Sequence, residues 1–207
     1  MKNKLIIIAG CSGSGKSTVA KKICNIFSKK DAQIICIDRF YKKNMALMPK
    51  LKNGHANFDH PKAFDWLLLR KCLKSLLCNK STKVPQYDYA IHARKKHLQL
   101  IKPTKIIIFE GFLALYDKQF NNMAELKIFV DTDEQDCFKR RLKRDQTQRQ
   151  RTVKSIKTQW KESVLPMYNK YVKPCRWVAD LILPWDKINN KSIKYLTQGI
   201  KHQLKSR

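Results

Sequence analysis

Short apolar runs alternate with longer segments of mixed polarity along this chain. Five of the runs are rich in β-branched residues and predict strands, and four of these are almost continuously apolar, as expected for strands buried on both faces. The longer segments repeat with a helical period. This alternation predicts an α/β fold in which helices cover both faces of a parallel central sheet. The predicted strands are Leu5–Ala9, Gln33–Ile37, Lys105–Phe109, Lys127–Val130 and Asp180–Leu183.

Helix-terminal residues help to place the predicted helices. Pro61 is expected in the first turn of one helix, where its missing N–H costs nothing. Thr132 and Gln135 are expected to form a capping box before another. Two segments, Tyr41–Phe58 and Val84–Lys102, fit neither pattern, and segments that a scaffold does not need often carry substrate contacts. The predicted helices are Lys16–Ser28, Pro61–Cys78, Asp133–Asp145, Val153–Tyr171 and a C-terminal helix from about Asn190.

Length, charge and cysteine content narrow the class of protein. We expect a single domain over residues 1–207, because this length supports one core but is short for two. The formal net charge of +28 favours polyanionic partners such as phosphates, although many of the lysines are equally explained as solvated surface residues. Seven cysteines without a C-x-x-C pair indicate free thiols. Because no apolar run is long enough to span a bilayer, we expect a cytoplasmic protein without a membrane partner.

The most specific motif follows the first predicted strand. The segment 10–17 matches G-x-x-x-x-G-K-[ST] and lies between a strand and a helix, the context that a phosphate-binding loop requires. Its backbone N–H groups would surround phosphates, Lys16 would reach the β- and γ-phosphates, and the Ser17 hydroxyl would bind Mg²⁺. The expected nucleotide-binding residues are Gly10, Cys11, Ser12, Gly13, Ser14, Gly15, Lys16, Ser17 and Thr18.

Charged residues near this loop complete a candidate phosphotransfer site. Asp38 and Glu110 each follow a predicted strand, and the carboxyl ends of parallel strands meet beside the loop. With Ser17 they are the candidate metal ligands. Five arginines in and beyond one predicted helix could neutralise a phosphoryl group in transfer, or could form a solvated basic face. They are Arg140, Arg141, Arg144, Arg149 and Arg151, and the polar run Asp145–Gln150 is expected to interrupt the helix that carries them.

With these residues in view, the chain resembles the uridine kinase (uridine-cytidine kinase) family of the P-loop kinase superfamily from Gly10 to about Pro184. The resemblance implies a three-layer P-loop NTPase fold with a mobile lid around residues 144–160. It also implies transfer of the γ-phosphate of ATP or GTP, with Mg²⁺, to the 5′-hydroxyl of uridine or cytidine. Its most specific stretches are Asn57–Pro61 with Ala63–Asp65, Tyr87–Tyr89 with His92 and Arg94, Phe109–Ala114, and Phe129–Asp133.

The same resemblance implies roles for individual residues. Asp38 would be the base that takes the 5′-hydroxyl proton, and Asp59 would hold the ribose hydroxyls. Lys16 and Arg141 would join Asp38 as catalytic residues. The pyrimidine would be read by packing on one ring and by a hydrogen bond from an imidazole to position four. The further expected substrate contacts are Tyr41, Phe58, Tyr87, His92, Arg141, Arg151 and Gln159.

Three departures from the family pattern affect these expectations. Gln150 stands where the family usually has glycine between two arginines, which would make the lid less flexible. The segment Pro184–Asn189 lacks the glycine-rich turn that usually follows the last strand, so the preference for ATP or GTP stays open. Cys11 replaces a small loop residue and could make the loop sensitive to thiol reagents.

Three rival interpretations stay open. The acceptor could be a ribulose phosphate or pantothenate, although Tyr87 and His92 speak against this. The basic tail Lys201–Arg207 and the high net charge could indicate a nucleic-acid-binding protein, which we do not expect. A catalytically silent regulator is disfavoured because every catalytic element is present. The resemblance further implies a homo-oligomer, typically a tetramer, and feedback inhibition by CTP or UTP, while the preference between uridine and cytidine is not predicted.

Overall fold

A computed structural model describes residues 3–89, 91–187 and 189–205. Its strands in chain order are β1 (Lys4–Gly10), β2 (Ala32–Cys36), β3 (Thr82–Val84), β4 (Tyr87–Asp88), β5 (Ala93–Arg94), β6 (Gln99–Ile101), β7 (Ile106–Gly111), β8 (Leu126–Asp131) and β9 (Leu181–Pro184). Its α-helices are α1 (Lys16–Cys24), α2 (Trp66–Leu77), α3 (Lys118–Met123), α4 (Glu134–Arg149), α5 (Val153–Gln159), α6 (Leu165–Met167) and α7 (Asn190–Lys205).

The central sheet is parallel, as predicted. Its five strands follow the order β2-β7-β1-β8-β9, and all five predicted strands are confirmed. Alternate residues of these strands enter two separate cores. Ile7 and Phe109 lie in the core that contains residues of α2 and α3, whereas Ile8 and Ile108 lie in the core that contains residues of α1 and α7. The predicted architecture of helices on both faces of a parallel sheet is therefore confirmed.

The segment Val84–Lys102 forms two small antiparallel ribbons that the sequence analysis did not predict. One ribbon pairs β3 with β6 and the other pairs β4 with β5. The second ribbon has two residues in each strand, too few for a period-two pattern to be visible in sequence. The segment Tyr41–Phe58 contains a 3₁₀ turn at Met45–Leu47 and a bridge between Lys50 and Ala56.

Several predicted helix boundaries are wrong. The first helix ends at Cys24 rather than Ser28, because the following turn tightens to bonds between residues three apart. Pro61 begins a separate 3₁₀ turn, and Asp65 caps α2 by accepting a hydrogen bond from the Leu68 N–H at 3.1 Å. Because the chain makes this separate turn before Asp65, α2 begins after Asp65 and not at Pro61.

The start and end of α4 also differ from prediction. Asp133, not Thr132, caps the helix and accepts a hydrogen bond from the Gln135 N–H at 2.8 Å. The Thr132 hydroxyl instead donates to the Ser14 carbonyl at 3.0 Å. The helix runs without interruption to Arg149, so the polar run does not break it. Gln150 then adopts left-handed geometry with φ 51°, which suits glycine better than glutamine.

The predicted helix Val153–Tyr171 is not a regular α-helix. π-helical turns at Trp160–Val164 and Tyr168–Val172 flank α6, and a 3₁₀ segment follows at Lys173–Val178. Each π-helical turn ends two residues before a proline, Pro166 or Pro174. Because proline lacks an N–H and crowds the preceding turn, it favours a widened turn at these places.

No helix in the described part of the chain is long and apolar enough to cross a membrane. The lid around residues 144–160 and the single domain stay predictions. Of the Pro184–Asn189 segment, Ile188 lies outside the described residues, as do the last two residues of the basic tail.

Candidate active site

The phosphate-binding loop, residues Gly10–Ser17, joins β1 to α1. Gly13 and Gly15 have φ values of 91° and 95°, which side chains rarely adopt. A Cβ at Gly13 would also collide with the Cys137 carbonyl oxygen, and one at Gly15 would collide with the Trp185 indole. The loop therefore needs glycine at both positions for two independent reasons. Lys16 extends across the loop, with its ammonium 3.3 Å from the Cys11 carbonyl oxygen.

Two carboxylates lie beside this loop at the carboxyl ends of neighbouring strands. Cys36 of β2 is in register with Glu110 of β7, and Asp38 lies two residues further on. The Ser17 hydroxyl is 3.2 Å from both carboxylate oxygens of Glu110. Burial raises the pKa of the Asp38 and Glu110 carboxyl groups, and the positive charge of Lys16 opposes that rise. A hydroxyl and two carboxylates are hard oxygen ligands and fit Mg²⁺.

A tyrosine that the sequence analysis did not assign contacts the candidate base. The Tyr89 hydroxyl donates a hydrogen bond to Asp38 Oδ2 at 3.2 Å, and the Arg149 guanidinium lies 4.9 Å from the Tyr89 ring centroid. The motif containing Tyr89 was visible in sequence, but nothing in its spacing indicated contact with Asp38. Tyr89 thus connects the end of α4 to the candidate base.

Three rings and an imidazole form an aromatic slot, composed of Tyr41, Phe58, Tyr87 and His92. The ring centroids of Tyr41 are 5.4 Å from Phe58 and 5.0 Å from Tyr87, and Phe58 lies 5.2 Å from His92. The Tyr87 hydroxyl is buried without a hydrogen-bond partner among the described residues. Burial and the nearby charges of Arg151 and Arg149 lower the pKa of His92. The slot combines flat apolar surfaces with two polar groups that could read a heterocycle.

Asp59 is a buried carboxylate held by a network that sequence reasoning identified only in part. Its Oδ2 lies 2.6 Å from the Ser163 hydroxyl and accepts a hydrogen bond from Gln159 Nε2 at 3.3 Å. Ser163 comes from a π-helical turn and was not predicted as a site residue. The Asn57 side chain accepts a hydrogen bond from the Asp59 N–H at 3.1 Å. These side-chain contacts hold Oδ2 of the Asp59 carboxylate, and none of them involves Oδ1.

Arginines connect the loop to this network. Arg141 donates to the Ser12 hydroxyl and to Gln159 Oε1, both at 2.7 Å. Arg151 donates to the same Gln159 oxygen at 2.6 Å. Gln159 therefore bridges the guanidinium groups at the phosphate-binding loop to the carboxylate of Asp59.

Lys16, the two carboxylates of Asp38 and Glu110, the aromatic slot and Asp59 line one cavity of about 500 Å³, whereas Asn57 and Ser163 do not line it. Most of the predicted site residues line it, whereas Gly10, Cys11 and Ser14 lie behind the loop surface. A hydrogen bond with the neighbouring Cys137 thiol, together with burial, raises the pKa of Cys11, which argues against the expected sensitivity to thiol reagents. The lining residues that were predicted are Ser12, Gly13, Gly15, Lys16, Ser17, Thr18, Asp38, Tyr41, Phe58, Asp59, Tyr87, His92, Glu110, Arg141, Arg151 and Gln159.

Solved structures place the fold in a known class. A phosphoribulokinase from Rhodobacter spheroides matches with a TM-score of 0.64 and 15% identity, over 88% of this chain and 70% of that one. A D-glycerate 3-kinase from Cryptococcus neoformans matches with a TM-score of 0.60 and 13% identity, over 82% and 79% of the two chains. Together with the phosphate-binding loop, these likenesses define a P-loop kinase fold.

Sequence comparison identifies the family within this class. A model of the phosphoribulokinase / uridine kinase family matches residues 5–191, and the chain belongs to this family. A protein named uridine kinase from Mycoplasma genitalium is 42% identical over 97% of this chain and 94% of its own. Another of that name from Lactobacillus helveticus is 38% identical over 97% and 95% of the two chains.

Replacing Ser163 tests whether its hydroxyl holds Asp59. The Ser163→Ala variant leaves a buried carboxylate oxygen without its shortest partner, so we expect the free energy of unfolding to fall by about 1–3 kcal/mol. Urea titration measures the change. Ser28→Ala is the matched control, because it removes a serine–aspartate contact of the same 2.6 Å at an exposed position and should cost less than about 0.5 kcal/mol. Equal stability of Ser163→Ala and the parent would contradict this role.

Proposed function

We propose that this protein is a nucleoside kinase that transfers the γ-phosphate of ATP or GTP to the 5′-hydroxyl of uridine or cytidine. The observation that carries this proposal is the shared cavity. A phosphate-binding loop with its lysine and metal-ligand set lies at one side, and Asp59 with the aromatic slot lies at the other. Relatives named uridine kinase cover almost the whole chain.

The donor triphosphate is proposed to bind the loop. Backbone N–H groups of residues 12–18 and the Lys16 ammonium would hold its phosphates. Ser17, Asp38 and Glu110 would hold Mg²⁺, which polarises phosphoryl oxygens as a Lewis acid when bound. No cluster of three or more acidic, histidine or cysteine residues in the described ranges could hold a metal alone. A small ligand set suits Mg²⁺, which usually binds one or two carboxylates together with phosphate oxygens.

Asp38 is proposed to accept the proton of the attacking hydroxyl. Its side chain lines the cavity between the loop and the aromatic slot, where the acceptor and donor would meet. Because the transition state is loose and spreads charge over the phosphoryl oxygens, catalysis depends mainly on positioning and on cationic groups. Lys16 and Arg141 would supply that positive charge.

The other end of the cavity suits a nucleoside. A buried carboxylate such as Asp59 accepts hydrogen bonds from both hydroxyls of a ribose diol. Tyr41, Phe58 and Tyr87 would pack on the base, and His92 would form a hydrogen bond at position four. Arg151 and Gln159 would close over the sugar from the predicted lid.

The segment after β9, proposed to lie beside the donor base, is held by α4. Arg140 donates to the Trp185 carbonyl at 2.9 Å and to the Asp186 carbonyl at 2.5 Å, which fastens α4 to the segment after β9. Neither contact distinguishes adenine from guanine, so both donors stay in the proposal.

Homo-oligomerisation and inhibition by CTP or UTP also stay proposals. The cytoplasmic location is supported by seven free cysteines.

An acceptor panel tests the proposed reaction. We expect ADP release from Mg-ATP at roughly 1–100 per second with uridine or cytidine, and none with thymidine, adenosine, ribulose 5-phosphate or no acceptor. Asp38→Ala should lower the turnover about 10²- to 10⁴-fold. Turnover of ribulose 5-phosphate would favour the alternative kinase, whereas hydrolysis without acceptor would remove the nucleoside assignment. Near-normal turnover of Asp38→Ala would end its role as base.

The pKa of His92 generates a second test. Because that pKa lies below the ordinary value near 6.5, His92 is neutral at pH 7.5 and can accept a hydrogen bond from the cytidine amino group. Once protonated it can only donate, which suits the uridine carbonyl. As the pH falls from 7.5 through the pKa of His92, located by NMR titration of its imidazole protons, we expect the KM ratio of cytidine to uridine to rise about 10-fold.

The His92→Gln variant is the control for this pH effect, because a glutamine amide both donates and accepts at every pH in that range. Steady-state kinetics with both nucleosides would show a ratio independent of pH in the variant. A ratio in the parent that does not change across the observed titration of His92 would contradict a hydrogen bond from His92 to position four.

A further inference from the structure

Asp145 is a fully buried acid that the proposed mechanism does not use. It lies on α4, and its side chain is 0% exposed. Four guanidinium groups surround it, and we call their residues the arginine cluster. The shortest distances from its carboxylate are 2.8 Å to Arg144 and 3.5 Å to each of Arg141, Arg149 and Arg151.

The two kinds of distance indicate two kinds of contact. Arg144 donates to Asp145 Oδ1 at 2.8 Å, within the range of a charge-assisted hydrogen bond. The contacts at 3.5 Å are longer than such bonds, and Asp145 Oδ2 and Arg141 Nε have no hydrogen-bond partner among the described residues. Arg144 is therefore the close counter-ion, while the other three arginines are attracted to the carboxylate by charge. Their N–H groups remain available for other partners, as in the hydrogen bonds of Arg141 to Ser12 and of Arg151 to Gln159.

The cluster faces the cavity and Asp145 does not. All four arginines line the cavity beside the phosphate-binding loop, whereas Asp145 lies behind them. Without this carboxylate, four like charges would repel one another in a region of low dielectric. The carboxylate draws the four side chains together at one wall of the cavity, where Arg141 also contacts Ser12 of the phosphate-binding loop.

We propose that Asp145 is the positioning residue of the arginine cluster: it sets the geometry of guanidinium groups that contact the transferring phosphoryl group, without contacting substrate itself. This inference rests on the proposed function for its catalytic consequence. Its structural part, the ordering of the arginines, stands on the contacts alone. Misplacement of such groups by about 1 Å can cost about 100-fold in rate.

The Asp145→Asn variant keeps the shape of the side chain and removes its charge. We expect kcat to fall about 10- to 100-fold and the KM for the nucleoside to change by a smaller factor, because Ser163 still holds Asp59 while only the cluster loses its ordering. Asp136→Asn is the matched control on the same helix, since the Asp136 side chain is 40% exposed and lies 3.6 Å from Lys139. That variant should keep the parental kcat.

A charge-balanced double variant provides a second test in case Asp145→Asn alone fails to fold. Arg144→Gln with Asp145→Asn removes both members of the closest ion pair, which is less destabilising than removing one. The double variant keeps the net charge of the cluster at the parental value. We expect its kcat to be at least about 10-fold below that of Arg144→Gln alone, because nothing then gathers the remaining arginines.

Side-chain NMR of the arginine Nε–Hε groups supplies a readout independent of activity. Ordered resonances of Arg141 and Arg144 in the parent and in Asp136→Asn should broaden or disappear in Asp145→Asn. Unchanged resonances in a folded Asp145→Asn protein, or a kcat within twofold of the parent, would overturn the proposal. Equal kcat of the double variant and Arg144→Gln would overturn it as well. If the parent phosphorylates no nucleoside, the proposed function fails and the NMR result alone decides the positioning role.

Discussion

The active site depends on how closely two other parts of the chain approach the phosphate-binding loop. The Cys137 carbonyl of α4 lies so close to Gly13, and the Trp185 indole so close to Gly15, that a Cβ at either glycine would collide with it. These contacts fix α4 against the loop, so the arginines of that helix project beside the phosphate site. Arg140 strengthens the arrangement by bonding to the backbone after β9. The same contacts therefore determine both the conformation of the loop and the position of the α4 arginines beside it.

The parallel sheet supplies the rest of the geometry. Because β2 and β7 end at the same edge, Glu110 and Asp38 lie beside Lys16, with Asp38 in the 3₁₀ turn Ile37–Phe40 that directly follows β2. The acceptor end of the cavity is different, since it is built from irregular segments. The β4–β5 ribbon carries Tyr87 on β4 and His92 in its turn, and a π-helical turn places Ser163 against Asp59. The ends of regular strands thus position the groups proposed to bind phosphate and metal, and irregular segments position the groups that would select the acceptor.

The same division explains what could be predicted from the sequence. Each of the five strands is an apolar run that can be recognised without knowledge of distant contacts. The loop motif and the ends of two of these strands then indicated Asp38 and Glu110. Ser163 and Asp145 could not be found in this way, because their roles come from contacts between distant segments or from burial. The cap at Asp133 was misassigned because Thr132 also suits a cap, and its hydroxyl is taken by the loop. Gln150 was interpreted only in terms of lid flexibility, and its left-handed geometry, which glycine also suits, was not predicted.

The central claim is that one cavity joins a donor phosphate to a nucleoside 5′-hydroxyl, and the position of the transferred phosphate tests it most directly. The enzyme would be incubated with Mg-ATP and uridine, and the product examined by proton-coupled ³¹P NMR. The account predicts uridine 5′-monophosphate, recognised by coupling of its phosphorus to two 5′ protons. Phosphate on the 2′- or 3′-oxygen, or release of free phosphate alone, would contradict the account.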